Sequence, residues 1–89
     1  MLEIDTASAY WKGDRLHFDA RGRLVNCAVL QTALVDYAEV ADTKAAAEAA
    51  LTDHADVIRA AVAGKIEREE FDASGDVVIR VADLEGAQH

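Results

Sequence analysis

Between Leu16 and Val29 the chain alternates apolar and polar residues on both sides of a glycine: Leu16-His17-Phe18-Asp19-Ala20-Arg21-Gly22-Arg23-Leu24-Val25-Asn26-Cys27-Ala28-Val29. A period of two around a turn residue reads as a β-hairpin. A loop with an even number of residues, centred on Arg21-Gly22, sets Phe18 opposite Val25 and Leu16 opposite Cys27. Cross-strand partners share a face, so Leu16, Phe18, Val25, Cys27 and Val29 line one apolar side. His17, Asp19, Leu24, Asn26 and Ala28 fall on the other. A three-residue loop matches Phe18 with Leu24 and divides the apolar residues between faces, which favours the even loop.

Upstream, Leu2 and Ile4 alternate with acidic residues and suggest a short first strand. Asp5 offers an N-cap for about one helical turn through Trp11, and Lys12-Gly13-Asp14 is a turn signal. Tyr10 and Trp11 either cover an edge of the core or sit at an interface.

Downstream, Thr32–Ala38 reads as a short helix starting at Thr32 or Gln31, and Asp42-Thr43 is a second N-cap signal. A helical period then links Ala47, Leu51, His54 or Ala55, Ile58, Val62 and Ile66. It crosses Thr52-Asp53 in phase, which favours one long helix from about Thr43 to about Glu70, straight or kinked at Asp53. A split there, with Thr52 or Asp53 as a new cap, is the alternative. Gly64 costs that helix about 1 kcal/mol relative to alanine and suggests a close approach of helix to sheet. Glu67, Glu69 and Glu70 oppose the helix dipole at its end. Asp72–Asp76 is a turn, and Val77–Val81 is a β-branched strand that joins the hairpin's sheet, with Val77, Ile79 and Val81 toward the helix.

These elements predict an α+β fold: a small antiparallel sheet of the hairpin, the C-terminal strand and a short N-terminal strand, packed on one face by a long and a short helix. Residues 1–84 form a single domain and residues 85–89 a disordered tail.

The sequence offers no catalytic, cofactor-binding or metal-binding residue. Cys27 sits mid-strand on the buried face, a small core hydrophobe rather than an activated thiolate. His17 is a surface or hydrogen-bonded histidine paired with Asn26. His54 lies on the apolar stripe, with Ala50, Leu51, Val57 and Ile58 where a helical metal pair needs its second ligand. His89 falls in the tail. Asp72–Asp76 lacks the ligand spacing and the bidentate glutamate of an EF-hand loop.

With 17 acidic against 9 basic residues the formal net charge is −8. No Lys/Arg cluster exists to displace counterions, which excludes nucleic acid, and anionic membranes are disfavoured likewise. A single cysteine, no basic–apolar leader and no run near the roughly 18 apolar residues of a membrane span point to the cytoplasm.

The order of Leu16-His17-Phe18, Gly22 to Val29, Ala33-Leu34 with Asp36-Tyr37, Ile58 through Lys65-Ile66-Glu67, and Gly75 to Ile79 resembles the small bacterial proteins grouped as domain of unknown function 1488. The resemblance runs from about Leu16 to about Val81. It implies a compact α+β fold of this size and brings no activity, cofactor or functional residue. The leading expectation is a non-enzymatic protein acting through protein–protein contact, as a homodimer or an accessory or regulatory subunit. A thiol-dependent enzyme or redox sensor using Cys27 is the alternative; an acidic protein that binds a basic partner is the second.

Overall fold

The computed structural model describes residues 3–21 and 25–87. Gly22-Arg23-Leu24, the side chain of Val25, Leu2 and His89 therefore lie outside the described residues. In chain order the elements are β1 (Glu3–Lys12), β2 (Arg15–Arg21), β3 (Val25–Leu30), α1 (Gln31–Ala38), α2 (Lys44–Asp53), α3 (Ala55–Glu67), β4 (Val77–Ile79) and α4 (Val81–Ala87). One sheet of order β1-β2-β3-β4 is backed by helices.

The expected parity of the hairpin holds, but its register is displaced by two residues. Phe18 faces Cys27, Leu16 faces Val29 and Ala20 faces Val25. A two-residue shift leaves each side chain on its own face. Leu16, Phe18, Cys27 and Val29 therefore still point into the core, joined there by Ala20, Val77 and Ile79.

The sheet is mixed rather than antiparallel, because β4 runs parallel to β3. Three helices lie between them, and a crossover of that length returns the chain to the starting end of the sheet.

The segment expected to hold a helical turn is instead most of β1. Asp5 pairs with Asp19, but the next pair is Tyr10 with His17, so the strand bulges between Asp5 and Tyr10. Ser8 repairs the gap: its Oγ donates to the Asp5 carbonyl at 2.8 Å and accepts from the Asp19 amide at 3.2 Å. The bulge destroys the alternation that marks a strand in sequence. Lys12 and Arg15 close the β1–β2 hairpin around Gly13 and Asp14, with Gly13 at φ 67° in the place where a two-residue turn requires glycine.

Thr43 caps α2 as expected, its Oγ1 accepting from the Ala46 amide at 3.1 Å. The stretch from Thr43 to Glu70 is two helices, not one. The break is a single residue, His54, at φ −114° and ψ 26°. Its amide still donates to the Ala50 carbonyl, and its carbonyl still accepts from the Ile58 amide. That continuity keeps the apolar stripe in phase across the break: Ala47, Leu51, Ile58, Val62 and Ile66 are all buried. The His54 ring packs edge-on against Tyr37 of α1, with centroids 5.2 Å apart.

The second helix stops at Glu67, three residues before the expected end. Glu69 adopts the left-handed conformation at φ 55°, and the Glu70 amide bonds the Lys65 carbonyl while the Glu69 amide bonds that of Ile66. This is a Schellman closure, so the end is tied rather than frayed.

Gly64 makes no close approach to the sheet. The atoms nearest a Cβ there are those of the Arg68 guanidinium, the closest at 3.1 Å. Gly64→Ala is therefore expected to raise stability by about 0.5–1 kcal/mol in urea denaturation, since helix propensity improves and a flexible guanidinium moves aside easily.

The C-terminal strand ends at Ile79. Val81 begins α4, whose Leu84 is fully buried, and the helix carries residues 85–87 where the sequence suggested a tail. Asp83 Oδ2 accepts from the Arg80 amide at 2.8 Å, and the Asp83 amide donates to the Arg80 carbonyl at 3.0 Å. This reciprocal arrangement starts the helix. It packs against α1 and α3.

Candidate functional site

Cys27 is sealed. It has no exposed surface, and its thiol is pushed up to about 12 from an ordinary 9.0, first by burial and then by the charges of Asp19 and Asp76. A nucleophilic or redox thiol needs the opposite environment, cationic and partly open. Native protein is expected to resist thiol reagents, with labelling that tracks global unfolding. The folded thiol keeps its proton to higher pH than the unfolded one. Its contribution to stability is thus complete below pH 9 and is lost between pH 9 and about 12. Subtracting the stability–pH curve of Cys27→Ala from that of the native chain isolates this loss.

His17 does not face Asn26. It pairs with Ala28 on one side and Tyr10 on the other and is only 9% exposed. Its ring stacks on that of Tyr10, centroids 5.3 Å apart and planes 17° from parallel. Neither His17 nor His54 converges with Cys27. Among the described residues no group of three or more His, Cys, Asp or Glu could hold a metal ion.

The Asp72–Asp76 segment is a turn closed on itself. Asp72 Oδ1 accepts from the amides of Ser74 and Asp76, both at 3.0 Å, and lies 2.6 Å from Ser74 Oγ. These bonds hold the Asp72 carboxyl below its ordinary range, the Ser74 hydroxyl contributing most. Glu70 is paired with Arg68 beyond the helix end, and Glu67 and Glu69 are exposed there.

What the fold assembles instead is a surface. The side of the sheet away from the helices carries Tyr10, which is 55% exposed, at its centre. Successive rungs of β1 and β2 flank it. Lys12 faces Arg15 toward the turn, Tyr10 faces His17, and Asp5 faces Asp19 beyond the bulge. On the β3–β4 half, Ala28 and Val78 are buried although they point away from the main core. Phe71, 40% exposed, lines a shallow depression there with Val78 and Arg80. Arg15 reaches across to Asp72, 3.8 Å away. Among the described residues the segment after α3 thus covers that half, while Tyr10, Lys12 and Asp19 on the β1–β2 half stay exposed.

The stack was within reach of the sequence. A two-residue turn at Gly13-Asp14 forces Lys12 opposite Arg15 and hence Tyr10 opposite His17, provided the segment before it is read as a strand. A second missed residue is Lys65, 8% exposed, whose Nζ lies 3.1 Å from Asp83 Oδ2. Its spacing from Ile58, Ala61 and Val62 places it on the buried stripe. Trp11 points inward opposite Leu16. Its Nε1 is buried with no hydrogen-bond partner among the described residues, and Lys44 Nζ lies 5.2 Å over its ring.

No described helix is long and apolar enough to cross a membrane. A family model described as "Protein of unknown function (DUF1488)" matches residues 6–79. No curated protein matches the chain. Among solved structures, the chain is similar to a protein of unknown function from the DUF1488 family of Shewanella loihica PV-4. The TM-score is 0.75 at 21% identity, over 89% of this chain and 91% of that one. At that identity the likeness speaks to the fold.

Proposed function

Since the chain belongs to the DUF1488 family, whose description assigns no activity, we propose a role from its own surface: non-enzymatic contact with another protein through the open β1–β2 half of the sheet. A homodimer, or an accessory or regulatory subunit in the bacterial cytoplasm, is the form this takes. The observation that carries the reading is Tyr10, more than half exposed yet held by its stack on His17. An aromatic ring fixed on a rigid strand loses little conformational entropy on docking, and such rings are the usual anchors of protein interfaces. The charged rungs on either side form the polar rim that such an anchor requires.

The thiol reading loses ground to the burial of Cys27 and its raised pKa. Immobilised protein is expected to retain a protein partner, or further copies of itself, from bacterial lysate. Tyr10→Asp should reduce retention at least about tenfold, as removal of a central anchor does. Unchanged retention by a variant that melts like the native chain sinks the reading.

A further inference from the structure

The partner can be named from the order of charges. Down the open face of β1 and β2 three consecutive cross-strand rungs run basic (Lys12 and Arg15), aromatic (Tyr10 and His17), acidic (Asp5 and Asp19), beyond which the strands end on Glu3 opposite Arg21, a rung of mixed sign. The strand rise puts the Arg15 and Asp19 positions about 13 Å apart, with His17 midway. A face ordered in this way is its own complement. Rotation by 180° about an axis through the aromatic rung lays basic over acidic at both ends and ring against ring at the centre.

We infer that this face is the isologous interface of a homodimer, in which Lys12 and Arg15 of one copy meet Asp5 and Asp19 of the other around a twofold axis at Tyr10. The inference rests on the proposed reading of the face as a protein-contact surface and names its occupant. A uniformly basic partner gains at the Asp5–Asp19 rung and is repelled at Lys12–Arg15. A second copy is matched at both. Closed twofold symmetry is also the commonest way that a patch pairs with itself.

Two further features agree. The bulge between Asp5 and Tyr10 interrupts the free edge of β1, which discourages association by strand addition and leaves the face as the site of contact. Arg15 is 41% exposed despite its approach to Asp72, so its five-donor fork retains capacity for a facing carboxylate. The net charge of −8 opposes association at long range, but that repulsion is screened beyond about 8 Å at physiological salt. The facing rungs act within contact distance.

Sedimentation equilibrium of the full chain from about 1 to about 500 µM tests the inference. The native protein is expected to dimerise. Arg15→Glu and Asp19→Arg should each weaken the dimer at least about tenfold by placing like charges face to face. The double variant R15E/D19R exchanges the two charges of β2 while Lys12 and Asp5 keep theirs, so residue 15 again meets an opposite charge at residue 19 of the other copy and most of the affinity should return. Lys12→Glu, on an exposed side chain, repeats the basic-end test without touching the Arg15–Asp72 pair, and thermal melting confirms that each variant is folded. A native chain monomeric throughout overturns the inference, and so does a double variant no tighter than the singles. If the native chain is monomeric while Tyr10→Asp still loses lysate capture, the contact face stands and only its occupant was misidentified.

Discussion

Leu84→Ala is expected to cost the protein about 3 kcal/mol of stability, the cost of removing a large buried aliphatic side chain into a space that closes only partly. Leu84 has no exposed surface, and α4 packs against both α1 and α3. The vacated volume is thus bounded by two helices that are themselves anchored in the core. In a chain of 89 residues that loss should lower the melting temperature by roughly 12–24 °C. The exposed neighbour Glu85, replaced by alanine, should shift it by no more than about 0.5 kcal/mol equivalent. Equal, small effects at both positions would mean that the C-terminal segment is not docked.

Asp83→Ala should be nearly as damaging, at about 3 kcal/mol, because one carboxylate serves two ends. It accepts from the Arg80 amide to start α4, and it faces the Lys65 ammonium on α3 at 3.1 Å. Removing it uncaps a short helix and leaves a cation, with a side chain only 10% exposed, without its counter-charge. Lys65→Met is the informative contrast. It fills the same stripe position with an apolar chain and leaves Asp83 on its backbone partner, so it should change stability by less than about 1 kcal/mol. A double-mutant cycle in urea should then show K65M rescuing a large part of the D83A loss. Additive effects would mean that the two groups do not interact.

Both experiments address the part of the chain that local patterns describe least well. Val77–Val81 is β-branched at every position but Arg80, yet the strand ends at Ile79 and Val81 enters a helix. The deciding groups are Arg80 and Asp83, whose reciprocal bonds are a capping signature hidden inside an apolar run. β1 was obscured in a related way. Asp5, Thr6 and Ser8 are residues that cap helices, and here Ser8 spends its hydroxyl bridging a bulge. The aromatic rung followed from recognising that strand, so the candidate surface was missed with it. In contrast, the inward set of the hairpin, the Thr43 cap and the apolar stripe from Ala47 to Ile66 were all legible, because each depends on residues within a turn or two of one another.

Two kinds of information are therefore present. Polarity with a period of two or of 3.6 determined which side of each element is buried, since burial is decided residue by residue in water. It determined that Leu16, Phe18, Cys27 and Val29 lie under helices, and that Cys27 is core. The tertiary structure alone decided what such patterns leave degenerate. A hairpin slipped by two residues keeps every side chain on its face, so only the packing of the core distinguishes Phe18 opposite Cys27 from Phe18 opposite Val25. One helix or two keeps the same stripe across Thr52-Asp53, so the pattern left both readings open, and the fold puts the break at His54, whose ring packs on Tyr37. A strand of three residues pairs equally well in either direction, so the length of the crossover through α1, α2 and α3 set β4 parallel to β3. In each case local free energies were nearly equal, and long-range packing supplied the difference.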